Sequence, residues 1–103
     1  MSLIIVQTTC PNKEEASNIA KSLIENKLAA CIQMSEIESF YMWEDEFCND
    51  KEILLNIKTK KENFKKIQSK IKELHSYDVP EIISIDIDKA SKEYKIFIKE
   101  NTK

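Results

Sequence analysis

The chain has 103 residues, with 16 lysines and no arginine against 18 acidic residues, and a formal net charge of −2 without a long run of either sign. This argues against a nucleic-acid-binding face, whose footprint is clustered positive charge, and the missing guanidinium forks disfavour bidentate phosphate clamps. Glycine is absent as well, which removes the phosphate-cradling loops of P-loop and dinucleotide-binding proteins.

Leu3 to Thr9 reads as a strand apolar on both faces, with Leu3 and Ile5 on one side and Ile4 and Val6 on the other, so both sides need cover. Pro11 ends it. Asn12 with Glu15 three residues on has the form of an N-cap, opening a helix with Ala16, Ile19, Ala20, Leu23 and Ile24 at helical spacing. Asn26 is the expected left-handed stop. Ala29 to Trp43 is extended, with Ile32 and Met34 on one phase and Ile37, Tyr41 and Trp43 on the other; a bulge between Met34 and Ile37 explains the change. A polar turn over Asp45 to Lys51, containing Asn49-Asp50, joins it to a strand in which Ile53, Leu55 and Ile57 alternate with Leu54, Asn56 and Lys58. Thr59 to Glu62 has the capping-box form ahead of a second helix carrying Phe64, Ile67, Ile71 and Leu74 and ending near His75. Pro80 biases Val79 away from helix and starts a strand of Ile83, Ile85 and Ile87, and a last short helix carries Tyr94, Phe97 and Ile98.

The order β-α-β-β-α-β with an added C-terminal helix predicts a single α+β domain over residues 1–103, of the ferredoxin-like split βαβ kind with an antiparallel four-stranded sheet. Right-handed crossovers place both main helices on one face. The other face needs cover, from the third helix or from self-association. Leu3 to Val6 is far too short for a bilayer, which takes about 20 apolar residues, so no membrane span is expected. Cys10, Cys31 and Cys48 are odd in number, form no C-x-x-C pair and follow no recognisable signal peptide, so a reducing cytoplasm is the expected setting.

The segment His75-Ser76-Tyr77-Asp78-Val79-Pro80-Glu81 gathers the only histidine, one of the two prolines, a tyrosine and carboxylates. Histidine titrates nearest neutrality and is the commonest metal ligand, so His75 and Glu81 head the candidates for a metal or ligand site. A histidine at a helix C-terminus can equally just offset the negative end of the helix dipole. Glu81 is open as a ligand, an acid/base group or a pinned carboxylate at a subunit boundary. Tyr41, Trp43 and Tyr77 read as packing and hydrogen-bonding residues around a cleft or interface, and Lys58 as an anion-binding or salt-bridged lysine. Cys31 reads as inert core. Cys48 is flanked by Asp45, Glu46 and Asp50, whose charge opposes a thiolate nucleophile. One histidine without a nucleophile motif argues against a hydrolytic triad, so no enzymatic activity is expected.

Several phrases resemble the CutA family of divalent-cation tolerance proteins over nearly the whole chain. They are Thr9-Cys10-Pro11, Lys27-Leu28-Ala29-Ala30-Cys31-Ile32, Ser39-Phe40-Tyr41-Met42-Trp43-Glu44, Ile57-Lys58-Thr59 and the His75-to-Ile83 run, with Tyr94-Lys95-Ile96-Phe97-Ile98 similar to the family's ending. The resemblance implies a ferredoxin-like homotrimer with a role in metal-ion tolerance, copper being the associated ion, and a metal or small ligand in a cleft between subunits. His75, Glu81 and Cys10 are then the expected metal residues, and Tyr41, Trp43, Lys58 and Tyr77 the expected cleft. The family's early cysteine, a proposed copper ligand, falls on Thr8, and a hydroxyl is a poor partner for a soft ion. Cys10 stands in for it if the strand continues that far. The glycine usual after Trp43-Glu44 is Asp45, and the proline usual after the histidine is Ser76. The alternative role is a signalling or scaffold trimer similar in fold to the PII proteins, binding a small metabolite or a protein partner.

Overall fold

The computed structural model describes residues 2–103. In chain order these form β1 (Leu3–Cys10), α1 (Lys13–Glu25), β2 (Cys31–Trp43), β3 (Glu46–Lys60), a 3-10 turn (Lys61–Asn63), α2 (Phe64–Leu74), β4 (Ile83–Asp86) and α3 (Lys92–Glu100). The strands make one antiparallel sheet in the order β2-β3-β1-β4, which is the split βαβ arrangement expected. No helix among the described residues is long and apolar enough to cross a membrane.

One face of the sheet holds the core. Opposed pairs Ile4↔Thr59, Val6↔Ile57, Thr8↔Leu55 and Cys10↔Ile53 share that face by the antiparallel register, and Ala16, Ile19 and Leu23 of α1 with Ile67 and Ile71 of α2 close over it. Asn12 caps α1 as its sequence predicts, accepting Glu15 N–H at 2.8 Å. The other face carries Ile5, Leu54, Ile83 and Ile85 with the bonded pair Gln7 and Asn56. On it α3 lies only at the lower end: Lys58 Nζ stands 5.5 Å from the centre of the Tyr94 ring, and Ile98 is buried there while Ile83 and Ile85 stay about half exposed.

Four local expectations are corrected. The left-handed residue after α1 is Lys27, at φ 56°, and Asn26 stays at φ −86° while its side-chain amide donates to Ser22 O. No bulge separates Met34 from Ile37: β2 and β3 pair one-to-one from Cys31↔Lys58 to Trp43↔Glu46. The hairpin turns at Glu44 and Asp45, both at positive φ (49° and 64°), and Asn49-Asp50 lies within β3; this is the two-residue turn whose twist matches its strands. The capping box at Thr59 does not form. Thr59 ends in the sheet, and its buried hydroxyl donates instead to Leu28 O at 2.6 Å, tying β3 to the turn after α1.

The turn shapes the molecule. β1 stops pairing at Ile53, so the β2–β3 hairpin runs on past it as a two-stranded ribbon with Phe40, Met42 and Phe47 63–70% exposed. Side chains with a Cβ disfavour positive φ, at roughly 1–2 kcal/mol per residue. Asp45→Gly and Lys27→Gly are therefore expected to raise stability in urea unfolding by about 1 kcal/mol each, less the unfolded-state entropy glycine adds. Asn26→Gly, at negative φ, is expected to raise nothing.

Candidate cation centre and adjoining cleft

α2 carries the imidazole of His75 to the end of β1: the residue's N–H still donates to Ile71 O at 2.8 Å, and its side chain is completely buried. Nε2 lies 2.7 Å from Thr9 O. A carbonyl oxygen only accepts, so Nε2 bears the hydrogen and Nδ1 offers its lone pair, which receives Tyr77 N–H at 3.1 Å. Glu15 Oε2 stands 3.3 Å from the same Nδ1 and accepts Ser76 N–H at 3.2 Å. Cys10, at the buried end of β1, completes the group: one donor atom each from Cys10, Glu15 and His75 lie within 4.8 Å of one another. Burial, then the negative charge of Glu15 and Glu52, pushes the Cys10 thiol up from 9.0 to about 12, so without a cation beside it the thiol keeps its proton.

Strand β1 does continue through Cys10, which stands one pleat beyond Thr8 on the core face. Thr8 is fully buried, and its hydroxyl is the one buried side-chain oxygen or nitrogen without a hydrogen-bond partner among the described residues. Glu81 does not join His75. It is exposed and lines a cleft of about 530 Å³ with Thr9, Tyr41, Trp43, Glu52 and Tyr77. In this cleft Tyr77 OH donates to Glu52 Oε2 at 2.7 Å, and Tyr41 OH donates to Asp50. The carboxylate bonded to each phenol opposes its ionisation: Tyr41 is pushed to about 12, chiefly by Asp50, and Tyr77 rises by burial first and Glu52 second. Lys58 lies outside the cleft, donating to Gln33 Oε1 at 2.8 Å beside α3.

Of the residues predicted from sequence, then, Cys10 and His75 meet, and Tyr41, Trp43, Tyr77 and Glu81 meet in a separate group. Glu15 is the member that sequence reasoning passed over. As the third residue after the cap it already had a local role, and its contact with Ser76 spans 61 positions of chain.

A family model described as CutA1 divalent ion tolerance protein matches residues 4–101. The chain belongs to the CutA1 family. The divalent-cation tolerance protein CutA of Pyrococcus horikoshii is 41% identical over 101 residues, covering 98% of this chain and 99% of its own. That of Thermus thermophilus is 40% identical over 99 residues, covering 95% and 96%. Among solved structures, CutA1 from Oryza sativa superposes with a TM-score of 0.96 at 38% identity, covering 100% of this chain and 95% of its own. CutA from Archaeoglobus fulgidus, described as a periplasmic divalent cation tolerance protein, gives 0.94 at 37% identity over 96% and 97%. The CutA1 assignment bears out the resemblance read from the sequence.

Two outcomes are expected. Thr8→Val, which removes the unpartnered hydroxyl at nearly constant shape, raises stability in urea unfolding by about 1 kcal/mol. In an ultraviolet titration of the folded protein, Tyr41 and Tyr77 keep their protons above pH 10, whereas unfolded tyrosines release them near that value. The unfolded chain therefore binds fewer protons as pH rises above 10, and stability falls with pH through this window. Asp50→Asn lowers the Tyr41 midpoint.

Proposed function

We propose that the protein serves divalent-cation tolerance without enzymatic activity, as a homotrimer, by taking up a cation at Cys10, Glu15 and His75. The observation that carries this reading is the convergence of sulfur, oxygen and nitrogen donors within 4.8 Å. The donor set fits a borderline or soft ion better than magnesium or calcium, which prefer all-oxygen shells. His75 has the outer contact typical of a metal-bound imidazole, its Nε2–H held by the Thr9 carbonyl. Tetrahedral ligands around zinc are about 3–4 Å apart; Glu15 Oε2 and His75 Nδ1, at 3.3 Å, already meet this, and Cys10 would draw in toward them by up to roughly 1 Å. With Thr8 where the family cysteine is expected, only one thiol is at hand, and Zn²⁺ suits the set better than copper(I).

The ribbon supports self-association. A lone two-stranded hairpin is marginal in water, and this one exposes Phe40, Met42 and Phe47 along its length. A second copy of the chain is the economical cover. Three unpaired cysteines support a reducing, cytoplasmic setting.

Cobalt(II) titration tests the cation centre. Thiolate coordination produces a near-ultraviolet charge-transfer band, expected in the unsubstituted protein and in Cys31→Ser and Cys48→Ser, and absent in Cys10→Ser. His75→Ala and Glu15→Gln each weaken binding by about tenfold or more. An unsubstituted protein without the band overturns the centre. Light scattering at micromolar concentration is expected to give three times the 12.0 kDa chain mass, and a monomer contradicts the trimer.

A further inference from the structure

We infer that the segment 76–82, between α2 and β4, is a switch that responds to loading: a cation at Cys10, Glu15 and His75 evicts the Tyr77 amide from the imidazole, and the chain pivots about Ser76. The inference rests on the cation centre proposed above. It adds what the chain itself does when the centre fills.

Two consecutive peptide N–H groups converge on the donor atoms of that centre. Ser76 N–H donates to Glu15 Oε2 at 3.2 Å and Tyr77 N–H to His75 Nδ1 at 3.1 Å, while the two acceptor atoms stand 3.3 Å apart. These are the oxygen and the nitrogen that a cation there needs.

The two contacts differ in whether a cation can share them. A carboxylate offers two oxygens with more than one lone pair each, so Glu15 can hold Ser76 N–H and a cation together. With Nε2 bearing the hydrogen that Thr9 O accepts, Nδ1 has one lone pair, and Tyr77 N–H fills it. The positive end of that N–H dipole also points at the place a cation on Nδ1 takes, so charge repulsion acts in the same direction as the lost lone pair. One amide stays and its neighbour leaves.

The evicted amide is half-buried, and an N–H without an acceptor there is costly, so the peptide between Ser76 and Tyr77 rotates until it meets another acceptor or water. Regular structure does not resist this, since residues 76–82 form neither helix nor strand and Ser76 to Val79 are successive bends. Upstream, His75 N–H remains on Ile71 O and fixes the end of α2. All of these contacts lie within one protomer, around a side chain already completely buried there, so cover of the opposite sheet face by other copies leaves them in place.

The full chain labelled with ¹⁵N at tyrosine alone gives amide signals from Tyr41, Tyr77 and Tyr94, and the signal lost in Tyr77→Phe is that of Tyr77. On saturation with Zn²⁺ the Tyr77 amide proton is expected to move upfield, as a proton does on leaving a hydrogen bond, while Tyr94 on α3 stays. Replacing Tyr77 by its α-hydroxy acid turns the N–H into an ester oxygen and keeps the phenol. That variant is expected to bind Co²⁺ about tenfold more tightly than the unsubstituted protein, because it gives up no hydrogen bond on loading. If it does not fold, the Tyr77 shift decides alone. A cobalt band with an unmoved Tyr77 amide, or a folded ester variant that binds no more tightly, overturns this inference and leaves the centre standing. Absence of the band in the unsubstituted protein overturns the centre and this inference with it.

Discussion

Three separate parts of the chain meet on the two nitrogens of one buried imidazole. His75 donates from Nε2 to the end of β1 at Thr9, accepts at Nδ1 from the loop residue Tyr77, and faces the first turn of α1 at Glu15. Truncating the ring would leave a buried carbonyl and a half-buried amide without partners, each worth about 1–3 kcal/mol. The helix-dipole role considered for a histidine at this position describes only part of its work, since both nitrogens are engaged outside α2. The cleft inherits its shape from the same ring, because Thr9 and Tyr77 also line its wall.

The regular parts of the fold were legible because their periods are uninterrupted. Ile19 and Leu23, or Ile67 and Ile71, recur at helical spacing and bury together, and the alternation of Ile53, Leu55 and Ile57 fixes the core face of β3. The false bulge in β2 came from applying a one-buried-face rule to a strand whose distal half has no core on either side. The misplaced hairpin turn has a different cause. In a chain without glycine the composition marks no residue for φ above zero, and the one pointer to Glu44-Asp45 is Asp45 standing where the family usually has glycine.

The candidate sites were legible in composition but not in grouping. A sequence shows that His75 and Glu81 are six positions apart; it does not show that the bends over Ser76–Val79 leave Glu81 beside Tyr41 and Trp43 and apart from the imidazole group. Thr59 and Glu15 illustrate the same point. Both fit local capping patterns, yet Thr59 bonds to Leu28 and Glu15 to Ser76, contacts spanning 31 and 61 positions. Local grammar identifies a residue's nearest use, and tertiary packing can assign another.

Tyr77 touches both sites at once, by its amide on Nδ1 of His75 and by its phenol on Glu52. Nδ1 has a single lone pair. A cation coordinated there displaces the Tyr77 amide, and the backbone that steadies the ring against Glu52 loses one of its anchors. One tyrosine thereby ties the orientation of the imidazole to the position of a carboxylate on the neighbouring strand.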